Sequence, residues 1–101
     1  MERKRTTEKE ITPDIAAHIF VYGHVQGVGF RSWAATRAGE LGITGWVQNC
    51  PDYSVEIFAE GSMDIVQTYI DILKEGNTWA NVESVTVDRT TPRGYTRFSI
   101  E

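Results

Sequence analysis

Apolar and polar positions change period several times along this chain, and each change marks an element. From Ala16 to Tyr22 the run AAHIFVY is β-branched and aromatic, which predicts a strand. From about Phe30 to Leu41, the apolar residues Phe30, Ala34, Ala38 and Leu41 recur at spacings of 4, 4 and 3, which puts them on one face of a helix. Gly42 stands just past that helix, where a left-handed cap is expected. ITGWVQN, Ile43 to Asn49, predicts a second strand, and CPDYS a turn signalled by Pro51 and Asp52. In YSVEIFAE, Val55, Ile57 and Ala59 alternate with Ser54, Glu56, Phe58 and Glu60, the pattern of a half-buried strand with a mixed outer face. Ser62 and Asp64 can cap and charge the start of a second helix, with Val66, Tyr69, Ile70 and Leu73 as its apolar stripe and Gly76 at its end. VESVTVD predicts a fourth strand, and YTRFSI a short last one after the Thr91-Pro92-Arg93-Gly94 turn.

The order is β-α-β-β-α-β with an added strand. Two helices with one apolar face each and strands that alternate are most simply buried as an α+β sandwich. The prediction is a ferredoxin-like antiparallel sheet with both helices on one face and an added short C-terminal strand. Residues 1–14 are polar, charged and without periodicity, and read as a flexible tail. Residues 15–101 are then a single domain, in keeping with a length that can bury one modest core.

Composition narrows the function classes. The 41% hydrophobic and 11% aromatic fractions are those of a globular protein. A net charge of -4 argues against a nucleic-acid binder working by bulk electrostatics. A ferredoxin-like sheet can stack RNA bases on aromatics, and Phe58 is predicted to face outward, but the RNP1 pattern is missing and the charge has the wrong sign. Cys50 is the one cysteine, so no intrachain disulfide forms, which suits a reducing compartment. No apolar run has the length of a membrane span, and MERKRTTEKE lacks the apolar stretch of a signal peptide. The expectation is a soluble, cytoplasmic monomer with neither nucleic acid nor membrane as partner.

Charge is uneven along the chain. In residues 1–14, Arg3, Lys4, Arg5 and Lys9 balance Glu2, Glu8, Glu10 and Asp14. From Ile15 to Gly39 there is no acidic residue, yet Arg31 and Arg37 are present. The local field there is positive inside a negative protein, and an anion would prefer that place.

That segment contains GHVQGVGFR, Gly23 to Arg31, between the first strand and the first helix. A helix N-terminus has unpaired N–H groups and a partial positive charge. Glycines just before it let the backbone aim several N–H groups at one point, an anion cradle. Arg31 adds a permanently charged planar fork that can grip two oxygens. The P-loop pattern is absent, and Ser32 stands where a dinucleotide fingerprint would need its last glycine. From composition alone two readings stand: a phosphate site, or a tight strand-to-helix turn whose arginine points at solvent.

GHVQGVGFR, the run from Ala38 to Asn49 with the pattern A-x-x-L-G-I-x-G-W-V-x-N, and P-D-x-S-V-E at 51–56 together resemble the acylphosphatase family, small enzymes that hydrolyse acyl phosphates. The resemblance extends from about His18 to Ile100. It implies the same β-α-β-β-α-β sandwich, with Arg31 and Asn49 as catalytic residues. It implies that the backbone of Val25, Gln26, Gly27, Val28, Gly29 and Phe30, together with Arg31, holds phosphate. It also implies a small acyl phosphate as substrate and inorganic phosphate as product, with no cofactor and no metal. A non-catalytic anion-binding or regulatory module of the same fold is the alternative. Two departures concern turn geometry: Tyr53 stands where the family usually has glycine, and Asn77-Thr78-Trp79 where proline is common. His18 and His24 read as structural or surface residues. Cys50 reads as a small filler on the strand face opposite Asn49. Trp33 and Trp46 read as core, and Arg37 as facing water.

Overall fold

Alternation decides which side of the sheet each residue joins. The computed structural model describes residues 14–101, so the predicted tail lies outside the described residues except for exposed Asp14. The elements are β1 (Ile15–His24), α1 (Phe30–Leu41), β2 (Thr44–Asn49), β3 (Val55–Gly61), α2 (Met63–Glu75), β4 (Asn81–Thr90) and β5 (Phe98–Ile100). Ala17, Ile19 and Val21 of β1 lie in one buried cluster with Val55, Ile57 and Ala59 of β3. Phe30, Ala34 and Ala38 of α1, and Val66, Tyr69, Ile70 and Leu73 of α2, complete that cluster. Each large apolar side chain so buried contributes roughly 1.5–3 kcal/mol. Both helices therefore cover the same sheet face, as their single apolar stripes require. The Tyr69 hydroxyl, buried between them, donates to the Ala34 carbonyl at 2.9 Å, and burial raises its pKa far above the usual tyrosine value.

The strand order is β4-β1-β3-β2-β5. The first four strands pair antiparallel, with Ile19 opposite Ile57 and Val87, and Val47 opposite Ile57. The added strand β5 runs parallel to β2, with Gly45 opposite Phe98 and Val47 opposite Ile100. The register explains why. β4 ends at Thr90 beside Ala16, where β1 begins, so residues 91–97 cross that end of the sheet and return β5 in the direction of β1 and β2. β5 is shorter than predicted, because Tyr95 to Arg97 belong to the crossing. Ser62 stands at the start of α2, but its side chain makes no cap bond. Its carbonyl instead accepts the Val66 N–H at 2.9 Å.

The far face of the sheet is polar and aromatic. Trp46 belongs here and not to the helix-side core, because it alternates with buried Gly45 and Val47. It stacks on Phe58 and donates its indole N–H to the Tyr95 hydroxyl at 3.0 Å. Trp33 packs against the core from α1. Phe58 faces outward as predicted, yet it is only 1% exposed. The Arg93 guanidinium lies 4.8 Å from its ring centre, and Tyr95 meets it edge-on. Buried Glu60 holds this covering segment by accepting the main-chain N–H groups of Arg93, Gly94 and Tyr95. Glu56 accepts from His18 Nε2 at 2.6 Å and Gln48 Nε2 at 2.8 Å. Partial burial pushes the Glu56 carboxyl up, but these bonds outweigh it and hold the group below its ordinary pKa. Arg37 is half-buried rather than free in water, with Nη2 on Glu40 at 2.7 Å.

The β2–β3 turn carries the one described non-glycine residue at positive φ, Tyr53 at 73°. Its N–H donates to the Cys50 carbonyl at 3.1 Å, and the Cys50 N–H to the Ser54 carbonyl at 2.9 Å. Asp52 Oδ1 accepts both the N–H and the hydroxyl of Ser54, and these bonds lower the Asp52 pKa. A left-handed conformation costs a non-glycine residue about 1–2 kcal/mol. Tyr53 is 74% exposed, so little packing offsets that cost. Tyr53→Gly is therefore expected to raise the denaturation midpoint, by less than the full strain because glycine loosens the unfolded chain by about 0.4–1 kcal/mol. Urea titration of the two proteins checks this, and a clear loss of stability would show that Tyr53 packs usefully.

Candidate active site

The connection from β1 to α1 is built by two left-handed glycines. Gly27 and Gly29 both have φ of 76°, and Gly29 is the residue that starts α1. This reversal leaves donors free: no main-chain N–H from Gly27 to Ser32 has a hydrogen-bond acceptor among the described residues. The first intrahelical bond comes only at Trp33, to the Gly29 carbonyl at 3.1 Å. No acidic residue stands in the first turn of α1. The free N–H groups and the helix dipole thus act together without a competing carboxylate. Phe30, 1% exposed, roots the end of the loop in the core.

A cavity of about 150 Å³ opens over this loop, lined by Val25, Gly27, Gly29, Phe30, Arg31, Ser32, Asn49 and Ile100. Pockets for drug-sized ligands run roughly 300–1,000 Å³, so this one suits a much smaller group. Arg31 is half-buried, and its Nη1 donates to the main-chain carbonyl of Glu101 at 3.0 Å. Glu101 in turn donates its N–H to the Val47 carbonyl at 2.8 Å, so β2 and the end of β5 hold the guanidinium. That bond fixes one side of the planar fork and leaves other N–H groups to face an anion. Asn49, the last residue of β2, is exposed and lines the same cavity.

The residues predicted from sequence are thus largely brought together. Arg31 and Asn49, 18 positions apart in the chain, share one cavity with Val25, Gly27, Gly29 and Phe30. Gln26 and Val28 do not line it. The Gln26 side chain turns to the β2–β3 turn, with Nε2 at 2.9 Å from both the Cys50 and the Ser54 carbonyl. The Val28 carbonyl accepts Asn77 Nδ2 at 2.7 Å. Asn77 thus anchors the loop in the segment where proline was expected. Sequence reasoning missed Ser32, Ile100 and Glu101. Ser32 had a signal, its place beside Arg31, while Ile100 reaches the cavity and Glu101 reaches Arg31 only because β5 pairs with β2. Cys50 lies just beyond β2, partly exposed, with Sγ 3.6 Å from Glu56 Oε1. Burial, the first cause, raises its thiol pKa, so it stays protonated at neutral pH. His24 is exposed at the end of β1, and His18 is occupied with Glu56 on the far sheet face.

Comparison with known proteins points the same way as this geometry. The family model described as Acylphosphatase matches residues 17–100. An acylphosphatase from Treponema denticola is 45% identical over 86 residues, 85% of this chain and 92% of the relative. One from Bifidobacterium longum is 49% identical over 73 residues, 72% of this chain and 75% of the relative. The crystal structure of acylphosphatase from Bacillus subtilis superposes with a TM-score of 0.84 at 36% identity, covering 86% of this chain and 98% of that one. With the matched model spanning all but the first two residues of the described sandwich and relatives of this similarity over most of the sequence, the chain belongs to the acylphosphatase family.

Proposed function

We propose that the protein hydrolyses small acyl phosphates to a carboxylate and inorganic phosphate by in-line attack of one positioned water. Family membership carries the reaction. One observation carries the mechanism: a single small cavity is shared by free main-chain donors, Arg31 and Asn49. The leaving group of an acyl phosphate is a carboxylate, which departs without prior protonation, so a strong general acid is unnecessary. What remains is to place one water in line with phosphorus and to stabilise charge on the phosphoryl oxygens. The loop N–H groups and Arg31 bind that charge. Preorganised donors of this kind are worth roughly 3–4 kcal/mol each when removed. Asn49 holds the water through its side-chain amide.

A module that only bound an anion would need the loop and Arg31. Asn49, delivered by a different element, is what hydrolysis adds. Arginine, asparagine and main-chain N–H groups are not a metal-ligand set, and the cavity is lined by no thiol. A monomer is the expected state, and a lone cysteine suits a reducing cytoplasm.

Release of carboxylate from acetyl phosphate or benzoyl phosphate tests the activity. Arg31→Ala should abolish measurable turnover and weaken inhibition by inorganic phosphate. Arg31→Lys should also fail, because a point charge cannot make the bidentate grip. Retention of most of the rate by Arg31→Lys would refute the planar-fork argument. Asn49→Ala should lower kcat by about a hundredfold or more while phosphate binds nearly as well, since water positioning acts in the transition state. Equal losses in phosphate affinity and kcat would make Asn49 a phosphate ligand instead. Turnover should survive EDTA and thiol-blocking reagents, and a rate restored only by added divalent metal would sink the mechanism.

A further inference from the structure

The two halves of the cavity come from segments that no strand pairing joins directly: the β1–α1 loop and the end of β2. One side chain links them. Gln26 Nε2 bonds two carbonyls at once, Cys50 and Ser54, each at 2.9 Å. These carbonyls close the turn that follows Asn49. Cys50 already accepts the Tyr53 N–H, and Ser54 the Cys50 N–H. A carbonyl oxygen has two lone pairs and a primary amide two N–H donors. Each carbonyl therefore has one bond from its own turn and one from Gln26, and both amide donors of Gln26 are used. A glutamine so placed is a strut of fixed length between the anion loop and the residue next to Asn49.

We infer that Gln26 is a positioning residue for hydrolysis: it sets the distance and angle between the phosphate cradle and Asn49 without touching substrate. This rests on the water-positioning reading of Asn49. In-line attack depends on where the water stands relative to phosphorus, and a displacement of about 1 Å can cost roughly a hundredfold. The cradle itself has other supports, Phe30 in the core and Asn77 on the Val28 carbonyl. Loss of the strut should therefore misalign the water more than it weakens the anion site.

The experiment is a double-mutant cycle. Gln26→Met keeps the volume and removes both bonds. It should lower kcat by roughly 10- to 100-fold, with a much smaller change in the inhibition constant of inorganic phosphate. The double variant Gln26→Met/Asn49→Ala should lose little more than Asn49→Ala alone, because a strut that aims an absent side chain has nothing left to do. Asn77→Ala, which loosens the loop without touching the β2–β3 turn, should multiply with Asn49→Ala. Gln26→Lys returns a donor within reach of both carbonyls and should recover most of the kcat lost in Gln26→Met. That comparison decides the matter even if Gln26→Met folds poorly. Losses that multiply in the Gln26–Asn49 pair, a parallel fall in phosphate affinity, or a lysine variant as slow as the methionine variant would overturn the proposal alone. Wild-type kcat in Asn49→Ala would overturn the water-positioning reading itself, and the role of Gln26 with it.

Discussion

Backbone N–H groups that have no partner in the fold are the interaction on which this molecule is organised. From Gly27 to Ser32 the chain presents donors and supplies no acceptor among the described residues. Left buried and unpaired, each such donor would cost about 1–3 kcal/mol, so the segment must face water or an anion. The glycines are there for conformation and not for room. A Cβ at Gly27 would meet nothing within 4 Å, yet its φ of 76° is one that other residues adopt only with strain. Holding such a loop open takes support from outside it. Phe30 in the core, Asn77 on the Val28 carbonyl and Gln26 on the β2–β3 turn provide that support from three directions.

The two faces of the sheet divide the remaining work. On the helix side a dry core sets where α1 starts, and thereby where its N–H groups point. On the far side, polar bonds set the course of β2 and β3. Glu56 ties His18 of β1 to Gln48 of β2, and Glu60 gathers three successive N–H groups of the crossing segment. That crossing delivers β5 alongside β2, and the carbonyl just past β5 receives Arg31. The guanidinium is therefore placed by a strand that joins the sheet last in chain order. The aromatics of this face are also accounted for by the same segment, since Arg93 and Tyr95 cover Phe58 instead of leaving it open for stacking bases.

Periodicity was enough for the elements because each one turns a single apolar face to the core between sheet and helices. The stripe Phe30–Ala34–Ala38 and the alternation Val55–Ile57–Ala59 could be read from spacing, and the structure buries all six. What periodicity cannot carry is a partner chosen across the sheet. Trp46 looked like core because it is large, but its place beside Gly45 and Val47 puts it on the far face. YTRFSI is legible as a strand, but nothing in it records which edge β5 joins or in which direction it runs. The site followed the same rule. Arg31, Asn49 and the glycine loop were legible through a family pattern that fixes residue types at fixed spacings. The side chain of Gln26 was not, since its partners are carbonyls, which any residue could have offered. Ile100 and Glu101 were invisible because nothing in the sequence records that β5 pairs with β2.

The Cys50 and Ser54 carbonyls connect the least comfortable residue of the fold to its chemistry. The turn they close requires a left-handed residue at its end, and Tyr53 fills the place at φ of 73°. The same two oxygens receive Gln26. A relaxed turn of another type would aim those carbonyls elsewhere and leave the glutamine without acceptors. The geometry therefore belongs to the turn and the strain to the tyrosine: glycine would reach the same φ and keep both carbonyls where Gln26 meets them. Strain of about 1–2 kcal/mol in one exposed residue can persist because the β2–β3 pairing on one side and the Asp52–Ser54 bonds on the other over-determine the turn. Stability and alignment are thereby separable at this hairpin, with the first sensitive to what occupies position 53 and the second only to the conformation it adopts.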